Sequence, residues 1–191
     1  MKLNLKILLC LLVNCVYCLS GCQALPDSAD FFESSESPEQ QETFVTYKAL
    51  PLPDLFVDVP EYYETKSSQF YQEYYICEDA SIIITEDTRE SQYISNYDYA
   101  VGALQEYQNM TSSLELRSSE AITTDKQTNV QTLEFDYTIG DGDDAARLTC
   151  LAGYLTDGNS MYIITCKSNT DTYESHRGEF FSVIRSAVIS K

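Results

Sequence analysis

The chain has one histidine, His176, and no tryptophan in 191 residues. A hydrolase that uses imidazole as its base, or a histidine-rich metal site, has almost nothing to draw on. Cations are scarce as well. Lys and Arg number 12 against 30 Asp and Glu, which gives a formal net charge of −18. A phosphate polymer would meet repulsion at every separation within a Debye length, which argues against nucleic acid as a partner. Long apolar runs are also lacking. Residues 7 to 19 are mainly apolar but interrupted by Asn14. As a helix the run would reach about 20 Å, against a hydrocarbon core of about 30 Å, too short for a comfortable span.

What the run does suit is the apolar region of a secretory signal. Lys2 and Lys6 supply the short basic region before it, and Leu19-Ser20-Gly21-Cys22 ends it. Small residues before a cysteine at this place resemble the bacterial lipobox. The resemblance implies a diacylglyceryl thioether on Cys22 and cleavage between Gly21 and Cys22, so that residues 1–21 leave as a signal peptide. The mature chain would then be held on the extracytoplasmic face of the cell membrane by covalent lipid. Two acyl chains, at roughly 0.8 kcal/mol per buried methylene, anchor stably without a basic surface. That accords with an acidic chain, which an anionic bilayer would not attract.

Residues 22–51 read as a tether. Asp27, Asp30, Glu33, Glu36, Glu39 and Glu42 face only Lys48, and Pro26, Pro38 and Pro51 punctuate the stretch. Like charge with little to bury does not offset the entropy of ordering. Phe31, Phe32, Phe44, Val45 and Tyr47 leave a second possibility, that part of it docks on the domain or on a partner. The folded unit is expected over residues 52–191, long enough for one core.

Within it, Leu55 to Val59 is a short strand stopped by Pro60, Gln69 to Cys77 a second, and Ser81 to Thr85 a third, buried on both faces. A helix is expected over residues 96–108, with Ser95 as N-cap, Asp98 in its first turn, and Tyr97, Ala100, Val101, Leu104 and Tyr107 as its apolar stripe. Ser113 to Thr123 is a mixed strand-like run. Leu133, Phe135, Tyr137 and Ile139 alternate with Glu134, Asp136 and Thr138, the pattern of a strand with one wet face. Arg147 to Leu155 and Met161 to Cys166 flank Asp157-Gly158, a hairpin signal. A last helix follows, capped by Asp171, with Tyr173, Phe180, Phe181 and Ile184 apolar. The order β-β-β-α-β-β-β-β-α points to an α+β fold, an antiparallel sheet with helices packed on it.

Three pieces of text resemble the PsbP-like superfamily: the first strand Phe56-Val57-Asp58-Val59-Pro60, the hairpin Asp157-Gly158 to Cys166, and the helix with Tyr173, Phe180 and Ile184. Where the family has a Pro-x-Gly-Trp stretch after the first strand, this chain has Glu61-Tyr62-Tyr63. The resemblance implies an α/β/α sandwich over most of residues 52–191. The superfamily includes photosystem-associated extrinsic subunits, Ran-binding nuclear proteins and bacterial envelope lipoproteins. It serves mostly as a binding scaffold, and a fold does not hand over a function.

The residues that could carry chemistry are few. Cys77, Cys150 and Cys166 remain in the mature chain. A three-residue hairpin loop would set Cys150 opposite Cys166, within disulfide range, whereas a two-residue loop would place them on opposite faces. All three also suit buried small apolar positions. Asp141, Asp143 and Asp144 share one turn but lack the spacing of an EF-hand, which leaves a solvated turn rather than a metal site. Glu86, Asp87, Arg89 and Glu90 make a second acidic loop. His176 is expected exposed on the last helix. Tyr62, Tyr63, Tyr71, Tyr74 and Tyr75 crowd a short stretch, and serve either as sheet core or as a contact face for a cation or glycan. No catalytic residues and no cofactor are expected. The chain reads as an envelope lipoprotein that acts as a binding or accessory module for an envelope protein partner. The alternative is a small-molecule or glycan-binding surface lipoprotein that uses a tyrosine-rich face.

Overall fold

The computed structural model describes residues 47–52, 54–87 and 95–190. The expected signal segment, Gly21, Cys22 and the expected tether as far as residue 46 lie outside the described residues. Ten strands and two helices follow in the order β1 (Tyr47–Leu52), β2 (Leu55–Pro60), β3 (Glu64–Thr65), β4 (Glu73–Cys77), β5 (Ala80–Asp87), α1 (Asn96–Met110), β6 (Ser113–Thr123), β7 (Asn129–Ile139), β8 (Ala146–Thr156), β9 (Met161–Asn169), α2 (Tyr173–Ser186) and β10 (Val188–Ile189). Seven strands form one antiparallel sheet in the order β3-β4-β5-β9-β8-β7-β6. A second sheet has the order β1-β2-β10. Most of β1 lies on the tether side of the boundary expected at residue 52. β1 and β10 each pair with β2, and neither was legible as a strand.

The seven-stranded sheet is covered on both faces. On one, Ala100 and Tyr107 of α1 meet Leu133, Phe135, Tyr137, Cys150, Ala152 and Tyr154. On the other, Tyr173, Phe180, Val183 and Ile184 of α2 join Val130, Leu151, Leu155, Ile164 and Cys166, with Leu55, Val57 and Val59 of β2. Each large side chain so buried contributes roughly 1.5–3 kcal/mol before entropy is counted. The result is the expected α+β class with helices on both sides of an antiparallel sheet. The second covered face changes the reading of β7. Of its presumed wet row only Glu134 is buried, beneath Arg177 of α2, while Asp136 and Thr138 are half-buried. Backbone crowding under α2 explains Gly153. A Cβ there would stand 3.0 Å from Ile184 Cγ2 and 3.2 Å from Val130 Cγ1.

The two helices begin differently from one another: the first at its expected cap, the second one residue later than expected. Ser95 caps α1: its Oγ accepts from the Asp98 N–H at 3.1 Å. The stripe, however, is rotated. Tyr97 and Val101 are exposed, at 58% and 36%, and the buried line runs through Ala100 and Tyr107. Asp171 does not cap α2. The N-cap is Thr172, in helical geometry and without a side-chain cap bond, since its hydroxyl donates to Asp79 instead.

Candidate binding surface

A seam of charge lies between the sheet and α2. Its centre is Glu134, whose side chain is only 3% exposed and accepts from Arg177 Nε at 2.8 Å and Nη2 at 3.0 Å. Burial alone would raise the Glu134 pKa. The Arg177 hydrogen bonds and charge, helped by Ser118, outweigh it and hold the carboxyl below its ordinary value. Arg177 also lies over the Phe181 ring, 4.9 Å from its centroid.

The second cation of the seam comes from a β-bulge. β6 pairs regularly with β7 up to Leu116↔Phe135 and resumes at Ser118↔Glu134, so Arg117 is the extra residue. It reaches Asp136 at 2.9 Å and Glu174 of α2 at 2.9 Å, and sits over the Tyr173 ring. The bulge also flips the strand. Leu114 packs on the α1 side and Ile122 on the α2 side, although both positions are even-numbered. That parity change made the run Ser113 to Thr123 read as mixed. The seam residues Arg117, Glu134, Asp136 and Arg177 were not singled out from the sequence, because nothing local announces that a distant helix will cover Glu134.

The middle of α2 is tied down in the same way. Glu179 accepts hydrogen bonds from the hydroxyls of Tyr62 and Tyr63, the latter at 2.8 Å. His176 is not the exposed helix residue expected. Its ring stacks on Phe180 and its Nε2 lies 3.1 Å from Asp79 Oδ1. Burial acts to raise the Asp79 pKa, but the Thr172 and His176 hydrogen bonds prevail and lower it.

The register settles the cysteines. Cys150 stands opposite Lys167, and Cys166 opposite Leu151. The two thiols therefore point to opposite faces of the sheet, Cys150 toward α1 and Cys166 toward α2. Neither the two-residue nor the three-residue loop forms, and the disulfide drawn from the latter is corrected to free thiols. The loop between Thr156 and Met161 holds four residues, closed by Asp157 accepting from the Asn159 and Ser160 N–H groups. Burial pushes the Cys150 thiol up to about 12.

The tyrosine stretch is also core rather than contact face. Tyr63, Tyr71, Tyr74 and Tyr75 are buried, and of the five only Tyr62 is exposed. Among the described residues no three His, Cys, Asp or Glu side chains are gathered as metal ligands. The Asp143 side chain, Arg89 and Glu90 lie outside the described residues. Glu86 accepts from Ser160 at 2.5 Å and Asp87 from the Tyr99 hydroxyl at 2.8 Å.

Of the five large apolar side chains exposed among the described residues, Tyr97, Val101 and Leu116 gather on one flank, and Phe56 and Tyr62 lie elsewhere. β6 ends the seven-stranded sheet, and no other described strand pairs with its outer side. Eight of its eleven residues are exposed and three half-buried. Leu116, 45% exposed, stands on the α1 side of this strand beside the half-buried Leu114. Tyr99 of α1 packs on Tyr154 of β8, so the opposite flank of that helix, which carries Tyr97, Val101 and Leu104, lies toward β6. Glu115 and Glu120 project on the α2 side, opposite Asp136 and Thr132. Neither makes an ion pair among the described residues. No helix of the described residues is long and apolar enough to cross a membrane.

No protein-family model matches this chain, and no curated protein sequence matches it. Solved structures do. Cyanobacterial PsbP (CyanoP) from Synechocystis matches with a TM-score of 0.59 at 13% identity, over 82% of this chain and 98% of that one. The Ran-binding protein Mog1p of Saccharomyces cerevisiae matches at 0.52 and 14%, over 76% and 96%. LpqN of Mycobacterium tuberculosis, described as involved in cell envelope biogenesis, matches at 0.51 and 10%, over 78% and 92%. At these identities the likeness establishes a PsbP-like fold.

Proposed function

We propose that this chain is an envelope lipoprotein, cleaved between Gly21 and Cys22, anchored by lipid on Cys22, and working as a non-catalytic binding or accessory module for an envelope protein partner. The observation that carries the reading is the disposition of the polar side chains. Arg117, Arg177, His176, Glu134 and Glu179 are used in fastening α2 to the sheet and to β2–β3, and three of the five exposed large apolar side chains, Tyr97, Val101 and Leu116, stand on the β6 flank. Two structures of like fold support it: one is described as Ran-binding and one as involved in cell envelope biogenesis. The text at Leu19 to Cys22 supports the anchor. The glycan-binding alternative loses its surface, since four of its five tyrosines are buried.

Intact mass of the membrane-extracted protein, beside a Cys22→Ala variant, tests the anchor. A mature chain beginning at Cys22 with a diacylglyceryl increment, lost in the variant, is the expected result. An unmodified secreted product refutes it. Cross-linking and capture from solubilised membranes tests the module, and repeated recovery of this chain alone would sink that part.

A further inference from the structure

We infer that the outer edge of β6 is where the partner binds, and that the partner supplies an extended segment of alternating apolar and basic residues which adds to the sheet as an eighth strand. The inference rests on the binding-module reading and gives it a site and a ligand chemistry.

The edge is long. Eleven residues at about 3.3 Å each span roughly 36 Å, where strands commonly run to 5–6 residues. An added strand would gain main-chain hydrogen bonds along it, and its side chains would fall alternately on the two sides of the sheet. The two sides differ. Toward α1 they meet Leu116, then Val101 and Tyr97, the largest apolar exposures on that flank. Toward α2 they meet Glu115 and Glu120 on the strand, with Glu174, 72% exposed, behind them. The one cation of β6, Arg117, is drawn inward by Asp136 and Glu174 and does not cancel those charges. One row of the added strand is therefore apolar and the other basic. Two further occupants are disfavoured by charge. A second copy would bring Glu115 and Glu120 of both chains together, and the acidic stretch before residue 47 would bring more of the same sign.

The probe is a short blocked peptide in which Lys and Val alternate, titrated into the full mature chain with Cys22 replaced by Ser and followed by amide chemical shifts. Controls are the Glu/Val peptide and a Lys/Val peptide of the same composition with its alternation broken. The expected result is saturable binding of the alternating Lys/Val peptide alone, weakened by salt, with shifts confined to β6 and the outer flank of α1. Glu115→Lys with Glu120→Lys should weaken it about tenfold or more and create binding of the Glu/Val peptide. Leu116→Lys, which leaves the acids in place, should also weaken it. Shifts elsewhere, indifference to the charge reversal, equal binding of the broken peptide, or a dimer through β6 that Leu116→Lys dissolves would each overturn the proposal. If membranes yield a partner that the charge-reversed chain still captures, the edge is refuted and the module reading stands. If no partner is captured but the peptide binds as expected, the edge stands and the module reading falls.

Discussion

Arg177→Ala leaves the carboxylate of Glu134, 3% exposed, without its bidentate partner. Breaking a buried pair from one side costs about 3–5 kcal/mol, and losing an exposed pair about 0–1. The Arg177 side chain is 43% exposed, and Ser118 still reaches the carboxylate. We therefore expect a loss of about 2–3 kcal/mol, read as a drop of roughly 8–12 °C in Tm for a domain of this size. The pH dependence identifies the cause. In the parent chain the folded pKa of Glu134 is lowered, so its contribution is present above the unfolded value of about 4.3 and is lost as pH falls through the lower folded value. In the variant, burial is opposed by little more than the Ser118 hydrogen bond and raises the folded pKa. Charging Glu134 then costs stability at pH 7, and the cost shrinks as pH falls below the raised value. The Tm gap between the two proteins should be widest near pH 7 and narrow toward pH 4. Glu134→Gln added to Arg177→Ala should recover more than half of the loss. A gap equal at pH 4 and pH 7, or a loss under about 0.5 kcal/mol, would refute the claim that Glu134 is a charge made tolerable by Arg177.

Two further outcomes are specific. Iodoacetamide on the native protein at pH 8 should modify Cys77 at most, since Cys150 and Cys166 are buried and their thiols held protonated; unfolding should release all three, with no Cys150–Cys166 disulfide in the non-reduced peptide map. Gly153→Ala should cost about 1–3 kcal/mol by overpacking against Ile184 and Val130, and its cost should be less than additive with Val130→Ala in a denaturant titration.

The sequence disclosed those parts of the fold whose causes are local. Ser95 precedes an amphipathic run, and the cap forms there. The Leu55 to Pro60 strand and the Ser113 to Thr123 strand end at the residues their text suggests. What escaped was set by distant partners. β10 exists because β2 lies beside it. Glu134, expected on the wet row of β7, is dry because Arg177 of α2 covers it. Tyr97 and Val101 looked like core because periodicity fixes which residues share a helical face, but not which way the helix is turned. Hairpin register depended on one residue of loop length, and with it the relation of Cys150 to Cys166. The site suffered most from this limit. Its acids and apolar residues are scattered between Tyr97 and Glu120, and only the bulge at Arg117 sorts them onto two sides of one edge.

Arg117 serves stability and opposes the proposed ligand. Its guanidinium holds Asp136 and Glu174, at side-chain exposures of 29% for the arginine and 26% and 72% for the acids. Partly exposed pairs of this kind are worth about 1 kcal/mol together, so Arg117→Ala should lower Tm by roughly 3–6 °C. The same substitution removes the only positive charge on β6 and leaves Glu115 and Glu120 with fewer competitors. A basic strand at that edge should then bind roughly two- to threefold more tightly, about 0.5 kcal/mol for one surface charge. Stability and affinity are thus expected to move in opposite directions. A purely structural arginine would move Tm and leave the Lys/Val peptide where it was, and an arginine that contacts the ligand would lower both. Only the divergence fits an edge whose acids are kept free for a cationic partner while the bulge turns its cation inward.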